Sequence, residues 1–277
     1  MSEFNDFADR VDTIIRDLCL YDDPVNTYLE VINFWFLPNL EWILARPPTT
    51  IFSEGNFDRN VVDWAIGTKC YPLLRYLVLN GWDVNHERQG YHCPWYLGMP
   101  CVIKDPKLVR WFLAHGADPS LVPTRPAEYG LDMQGAQGQL LKLAACWGPL
   151  ETFCLLQDSG ANIKYSLALH AAAYKGPRQL PILRHLLQEG ALDVNEVYAF
   201  DHRAGTPLLE AIEGRNEEGV RLLLEYGADP DPKLQNGSAI AAAQSLAKND
   251  PDMSRRILDM LAGAIESRRQ VNDQAAI

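Results

Sequence analysis

Side chains able to do chemistry are scattered along this chain, and few of them stand in a pattern that chemistry requires. Asp63 interrupts an apolar run, Val61-Val62-Asp63-Trp64-Ala65-Ile66. A carboxylate drawn into a core needs a partner or pays desolvation. Arg59, four residues earlier, or His92, further along, can supply one, and this trio is the nearest approach to an acid/base constellation. Glu210, Glu213, Glu217 and Glu218 are close in sequence, but spacings of three and four fit a solvated helix face as readily as a paired acid/base site. His86, His92 and Cys93 have loose spacing, with no CxxC or HExxH beside them, so no metal site is expected. No Gly-rich phosphate loop and no GxSxG elbow occurs. The residues therefore assign no catalytic group, no cofactor and no metal, and they favour binding over catalysis.

The elements that must position any site repeat along the chain. Val220-Arg221-Leu222-Leu223-Leu224-Glu225-Tyr226-Gly227-Ala228-Asp229-Pro230 has weaker copies ending at Gly81, Gly116, Gly160 and Gly190. Successive glycines are separated by 35, 44, 30 and 37 residues. Each copy reads as an apolar helix closed by a glycine that can take the left-handed conformation. Ahead of the best copy, Thr206-Pro207 marks a first helix, because Thr accepts from a free backbone N–H and Pro fits the first turn. Runs such as Ala171-Ala172-Ala173 allow close approach of paired helices.

Gly205-Thr206-Pro207-Leu208-Leu209-Glu210-Ala211-Ile212, leading to Leu222-Leu223-Leu224 and Gly227-Ala228-Asp229, resembles the ankyrin repeat family, with Leu209 replacing the family's His. Weaker matches begin at Asn60, Cys93, Gln139, Leu167 and Gly237. The unit at Leu167 keeps Leu169-His170 and loses the Thr-Pro. The resemblance implies an all-α ankyrin-repeat solenoid of helix–turn–helix units joined by β-turn fingers. Residues 1–23, striped by Phe4, Phe7, Val11, Ile14, Ile15 and Leu18, form an N-terminal capping helix. Residues 24–265 form the array, with one degraded and about six recognisable repeats and an insertion at 119–138. Residues 266–277 lack an apolar period and read as a flexible tail.

Family contacts come from the finger tips and first helices, which line a concave face. Carried over by position, these are Phe57, Arg59, Gln89, His92, Gln137, Cys146, Trp147, Tyr165, Tyr174, Lys175, His202, Arg203 and Glu213, with Met99 close by. Trp147, Tyr165 and Tyr174 belong to neighbouring repeats and are expected to form one aromatic patch. Packing against the next repeat explains Trp147 and Tyr174 equally well. The resemblance gives His170 a structural role, its ring bonding backbone groups of an adjoining repeat. The expected function is an adaptor holding a partner protein or peptide. The alternative is a small-molecule sensor or atypical enzyme, because 7 Trp, 11 Tyr, 9 Phe and irregular repeats could enclose a pocket.

Bulk properties narrow the partners. Net charge is −11, and residues 1–60 alone hold 4 Lys/Arg against 11 Asp/Glu. Such a chain repels phosphate backbones, so nucleic acid is disfavoured. The N-terminus has no signal-peptide pattern, and the longest apolar passage, Val31 to Leu37, cannot span a bilayer, so an intracellular address, cytoplasmic or nuclear, is expected, with no membrane partner. Six cysteines without CxxC pairing are expected as reduced, buried hydrophobes.

Overall fold

A computed structural model describes residues 62–63, 65–79, 81–87, 95–124, 136–200, 203–232 and 238–275. The capping-helix segment 1–23, the degraded repeat and most of the insertion lie outside these. The chain divides into two compact units between Asp83 and Val84. In the first, helical residues within 62–67 precede helix α1 (Tyr71–Leu79). Val62, Ala65, Ile66, Leu74 and Leu77 are buried there. Trp82 donates its backbone N–H to Leu77, closing α1 behind Gly81, whose φ is +96°.

The second unit is a stack of helix pairs. They are α2 (Pro100–Ile103) with α3 (Pro106–Ala114), α4 (Gln139–Trp147) with α5 (Leu150–Asp158), and α6 (Ala168–Tyr174) with α7 (Leu180–Glu189). Then follow α8 (Pro207–Glu213) with α9 (Glu217–Glu225), and α10 (Ala239–Leu246) with α11 (Pro251–Ala275). First helices pack on first helices, α2–α4–α6–α8–α10, and second helices on second helices, α3–α5–α7–α9–α11. This is the all-α ankyrin-repeat solenoid that the repeats imply.

Local chemistry explains the regularity. Asp105, Thr206, Asn216 and Ser238 each cap a helix by accepting from a backbone N–H two or three residues on. The first-helix column stays tight because its buried faces are small. Six of the seven residues of α6 are buried, four of them alanines. The second helices bury larger groups, Phe112, Phe153, Leu156, Ile182 and Leu223 among them. Gly116, Gly160, Gly190 and Gly227 all have positive φ, the role their recurrence suggested. At Gly116, Gly160 and Gly227 the following alanine donates back into the helix (3.0, 3.0 and 2.9 Å).

The fingers are joined by asparagine clamps. Asn85 donates to the Gly116 carbonyl (2.8 Å) and accepts from the Asp118 N–H (2.8 Å). Asn195 does the same three repeat boundaries further along, to Gly227 (3.4 Å) and from Asp229 (2.6 Å). One finger extends into a two-stranded antiparallel ladder, β1 (Tyr198–Phe200) with β2 (Arg203–Gly205), Tyr198 facing Gly205.

Two expectations need correction. Residues 266–275, read as part of a flexible tail, continue α11 as far as Ala275. Arg268 secures that stretch with polar contacts, to Asp229 (2.7 Å) and the Gly227 carbonyl (2.9 Å), which leave no apolar periodicity to read. The cysteines are also less uniformly buried than expected. Cys101 is exposed, while Cys70, Cys146 and Cys154 are half-buried, and all four are free thiols. Cys101 sits in a first helix of only four residues, too short to bury every side chain.

Candidate functional site

The first helices end in a row along one edge of the stack. Lys104 caps α2, Trp147 closes α4, Tyr174 closes α6, Lys175 caps it, and Glu213 closes α8. Trp147 is 44% and Tyr174 45% exposed, unusual for large aromatics beside buried alanines. The Lys175 ammonium lies 3.9 Å from the centroid of the Trp147 ring and 5.9 Å from that of Tyr174, while Lys104 reaches the Trp147 ring at 5.6 Å. A cation over an indole face gains roughly 0.5–1 kcal/mol at an exposed site, enough to bias a flexible lysine toward one position.

Backbone contacts hold the row in place. A methyl group added at Gly148 would meet the Ile103 side chain at 3.0 Å, so the end of α4 is packed directly on the end of α2. Between α6 and α8 the approach is closer still, and a methyl group at Gly214 would fall on the Tyr174 carbonyl oxygen. Asn216, fully buried, donates to the Ala173 carbonyl (2.8 Å) and accepts from the Gly219 N–H (3.0 Å). One side chain thus caps α9 and fixes the last turn of α6, from which Tyr174 and Lys175 project. Behind the lysines, burial raises the Cys146 thiol above its ordinary range, opposed by the charges of Lys175 and Lys142.

His170 lies inside the stack and is 4% exposed. Its Nε2 is 2.9 Å from the Glu196 carbonyl oxygen in the next finger, and its ring meets Tyr198 edge to face at 5.1 Å. Burial lowers its pKa to about 4, although the Glu196 and Gly205 carbonyls favour the charged form. The ring joins one repeat to the next, as the resemblance implied, and stays neutral at physiological pH.

Of the expected contact residues, Trp147, Tyr174 and Lys175 come together, and Glu213 follows on the next helix. Tyr165 does not join them. It sits before α6, beside Lys164 (5.2 Å), whereas Tyr174 closes that helix. The helix rises about 1.5 Å per residue, so the two tyrosines stand at opposite ends of it. Gln137, half-buried, accepts from Asn162 (3.4 Å) on the finger side. Phe57, Arg59, Gln89, His92 and His202 lie outside the described residues, as does the side chain of Arg203. Asp63 is half-buried and has a partner, but the suggested trio with Arg59 and His92 lies outside what is described.

Lys104 is the residue that sequence reasoning missed, and a signal for it existed. Lys104, Trp147 and Lys175 each stand two residues before a proline, Pro106, Pro149 and Pro177, at the junction leading to a second helix. Aligned on those prolines, the three fall in register. Elsewhere, an open groove of about 610 Å³ between α9 and α11 is lined by Leu224, Ala228, Met260, Ala264 and Val271, with Arg221 and Arg268 at its rim. Among the described residues no group of His, Cys, Asp and Glu could hold a metal ion, and no helix is long and apolar enough to cross a membrane.

Stacked helix pairs with glycine-closed second helices define a repeat protein of the ankyrin class. Residues 141–233 match the family model for ankyrin repeats, in three copies. The fold is similar to a solved ankyrin repeat domain, that of Bcl-3, described as a unique member of the IkappaB protein family. That structure is 21% identical in sequence, with a TM-score of 0.51, over 74% of this chain and 85% of that one. Residues 141–233 therefore carry ankyrin repeats.

Proposed function

We propose that this chain is a protein-interaction module that holds a partner protein or peptide on the first-helix face of its ankyrin array. The observation that carries the reading is the exposed row of Trp147, Tyr174 and Lys175, set on helix ends that buried contacts keep rigid. Aromatic side chains and fixed cations supply much of the binding energy at interfaces, and a preorganised surface loses little entropy on binding. An intracellular setting, cytoplasmic or nuclear, suits the free thiols. Bcl-3's ankyrin domain supports the fold and leaves the partner's identity to experiment.

The test is affinity capture from native extract with the full chain and with a Trp147→Ala/Tyr174→Ala variant, identifying retained proteins by mass spectrometry. Both side chains are substantially exposed, so the variant should keep its far-UV circular dichroism. A protein retained by the native chain and lost with the variant supports the reading. If the two forms retain the same proteins, or neither retains any, the first-helix surface is not the binding face.

A further inference from the structure

The lysines of this edge differ from five arginines of the second helices in what they touch. Arg110 pairs with Glu151 (2.6 Å), Arg256 with Glu217 (2.9 Å) and Arg268 with Asp229 (2.7 Å). Arg221 and Arg255 also have carboxylates within 4 Å. Among the described residues, Lys104, Lys142 and Lys175 have no such ion pair. Lys104 and Lys175 rest on aromatic rings instead, and Lys142 and Lys175 both act on the Cys146 thiol. An indole face orients an ammonium group without neutralising it, so the positive charge stays available to a second partner. Two acidic residues flank the patch. Asp105, next to Lys104, accepts from the Lys107 N–H (2.9 Å) at the start of α3, and Glu213 begins the next repeat's share of the edge.

We infer that this edge receives an acidic peptide segment of the partner, with one carboxylate on Lys104, another on Lys175, and the stem between them against Trp147 and Tyr174. This rests on the protein-binding reading above and adds the partner's chemistry. Both ammonium nitrogens lie over the same ring, at 5.6 and 3.9 Å from its centroid, so they are separated by about 10 Å at most. An extended chain advances roughly 3.3 Å per residue, which keeps the two acidic residues within about three positions of each other. Charge complementarity is local. The chain as a whole carries −11, so a long polyanion or an anionic bilayer meets repulsion beyond the patch, whereas a short acidic segment does not.

The experiment selects random linear peptides on the immobilised full chain and then measures a selected peptide by fluorescence anisotropy. Selected sequences are expected to share a pair of Asp or Glu residues within about three positions of each other, and their affinity is expected to fall with added salt. The Lys104→Gln/Lys175→Gln variant should bind about tenfold more weakly. Lys164→Gln, at the finger end, should bind as the native chain does. Peptides without acidic residues that lose affinity with Trp147→Ala would overturn the acidic inference and leave the protein-binding reading standing. Equal affinity for the double lysine variant would overturn it too, as would displacement of the peptide by oligothymidylate or phosphatidylserine vesicles at matched charge. If no peptide is selected, the acidic-peptide inference falls, and capture from extract decides the protein-binding reading separately.

Discussion

Acidification should weaken this fold through one buried ring, and the size of the effect follows from its surroundings. His170 titrates near its ordinary 6.5 in the unfolded chain and at about 4 in the folded one. Between those values the unfolded state binds a proton that the folded state refuses, so stability rises with pH and is lost as pH falls. The full loss, reached below the folded pKa, is on the order of 3 kcal/mol, and about 2 kcal/mol of it appears between about pH 7.5 and pH 5. Glu196, whose carboxyl burial raises, opposes this at the acidic end, because protonating it favours the folded state. Comparison with His170→Asn removes that shared contribution. Urea unfolding by circular dichroism across this range should give a native curve that declines with acid more steeply than the variant's, by about 2 kcal/mol in total. Should the variant fail to fold, NMR titration of the native His170 ring reports the same quantity directly. Parallel curves, or a ring titrating near 6.5 in the folded chain, would refute the claim that burial between repeats keeps this histidine neutral.

Other substitutions test the contacts that hold the candidate site. Asn216→Ala strips a buried carbonyl of its donor and α9 of its cap, and should cost about 2–3 kcal/mol in urea unfolding. Gly214→Ala forces the Tyr174 carbonyl away, so a loss of about 1–3 kcal/mol should accompany weakened partner capture. Arg215 is exposed with φ +56°, a conformation glycine adopts without strain. Arg215→Gly should therefore stabilise the chain by about 1 kcal/mol, and a lowered urea midpoint would show that the arginine makes a contact worth more than its backbone strain.

The repeat architecture was legible because its determinants are local. A glycine that must turn left-handed, a Thr-Pro that starts a helix and a run of alanines act within a few residues of themselves, so Gly227, Thr206-Pro207 and Ala171 to Ala173 announce their roles in any context. His170 was readable for a related reason, since its place in the repeat fixes its neighbours. The end of α11 was not, because Arg268 is held by Asp229 and Gly227, some forty residues away, and leaves no pattern in its own segment. The edge that gathers Lys104, Trp147, Tyr174 and Lys175 was half legible. Sequence supplied each residue and its position at a helix end, whereas grouping depended on how α2, α4 and α6 stack. Stacking separated Tyr165 from Tyr174 along one helix and brought Lys104 in from another repeat. Repetition therefore determines the units and their closures, and only the packing of one unit on the next decides which side chains share a surface.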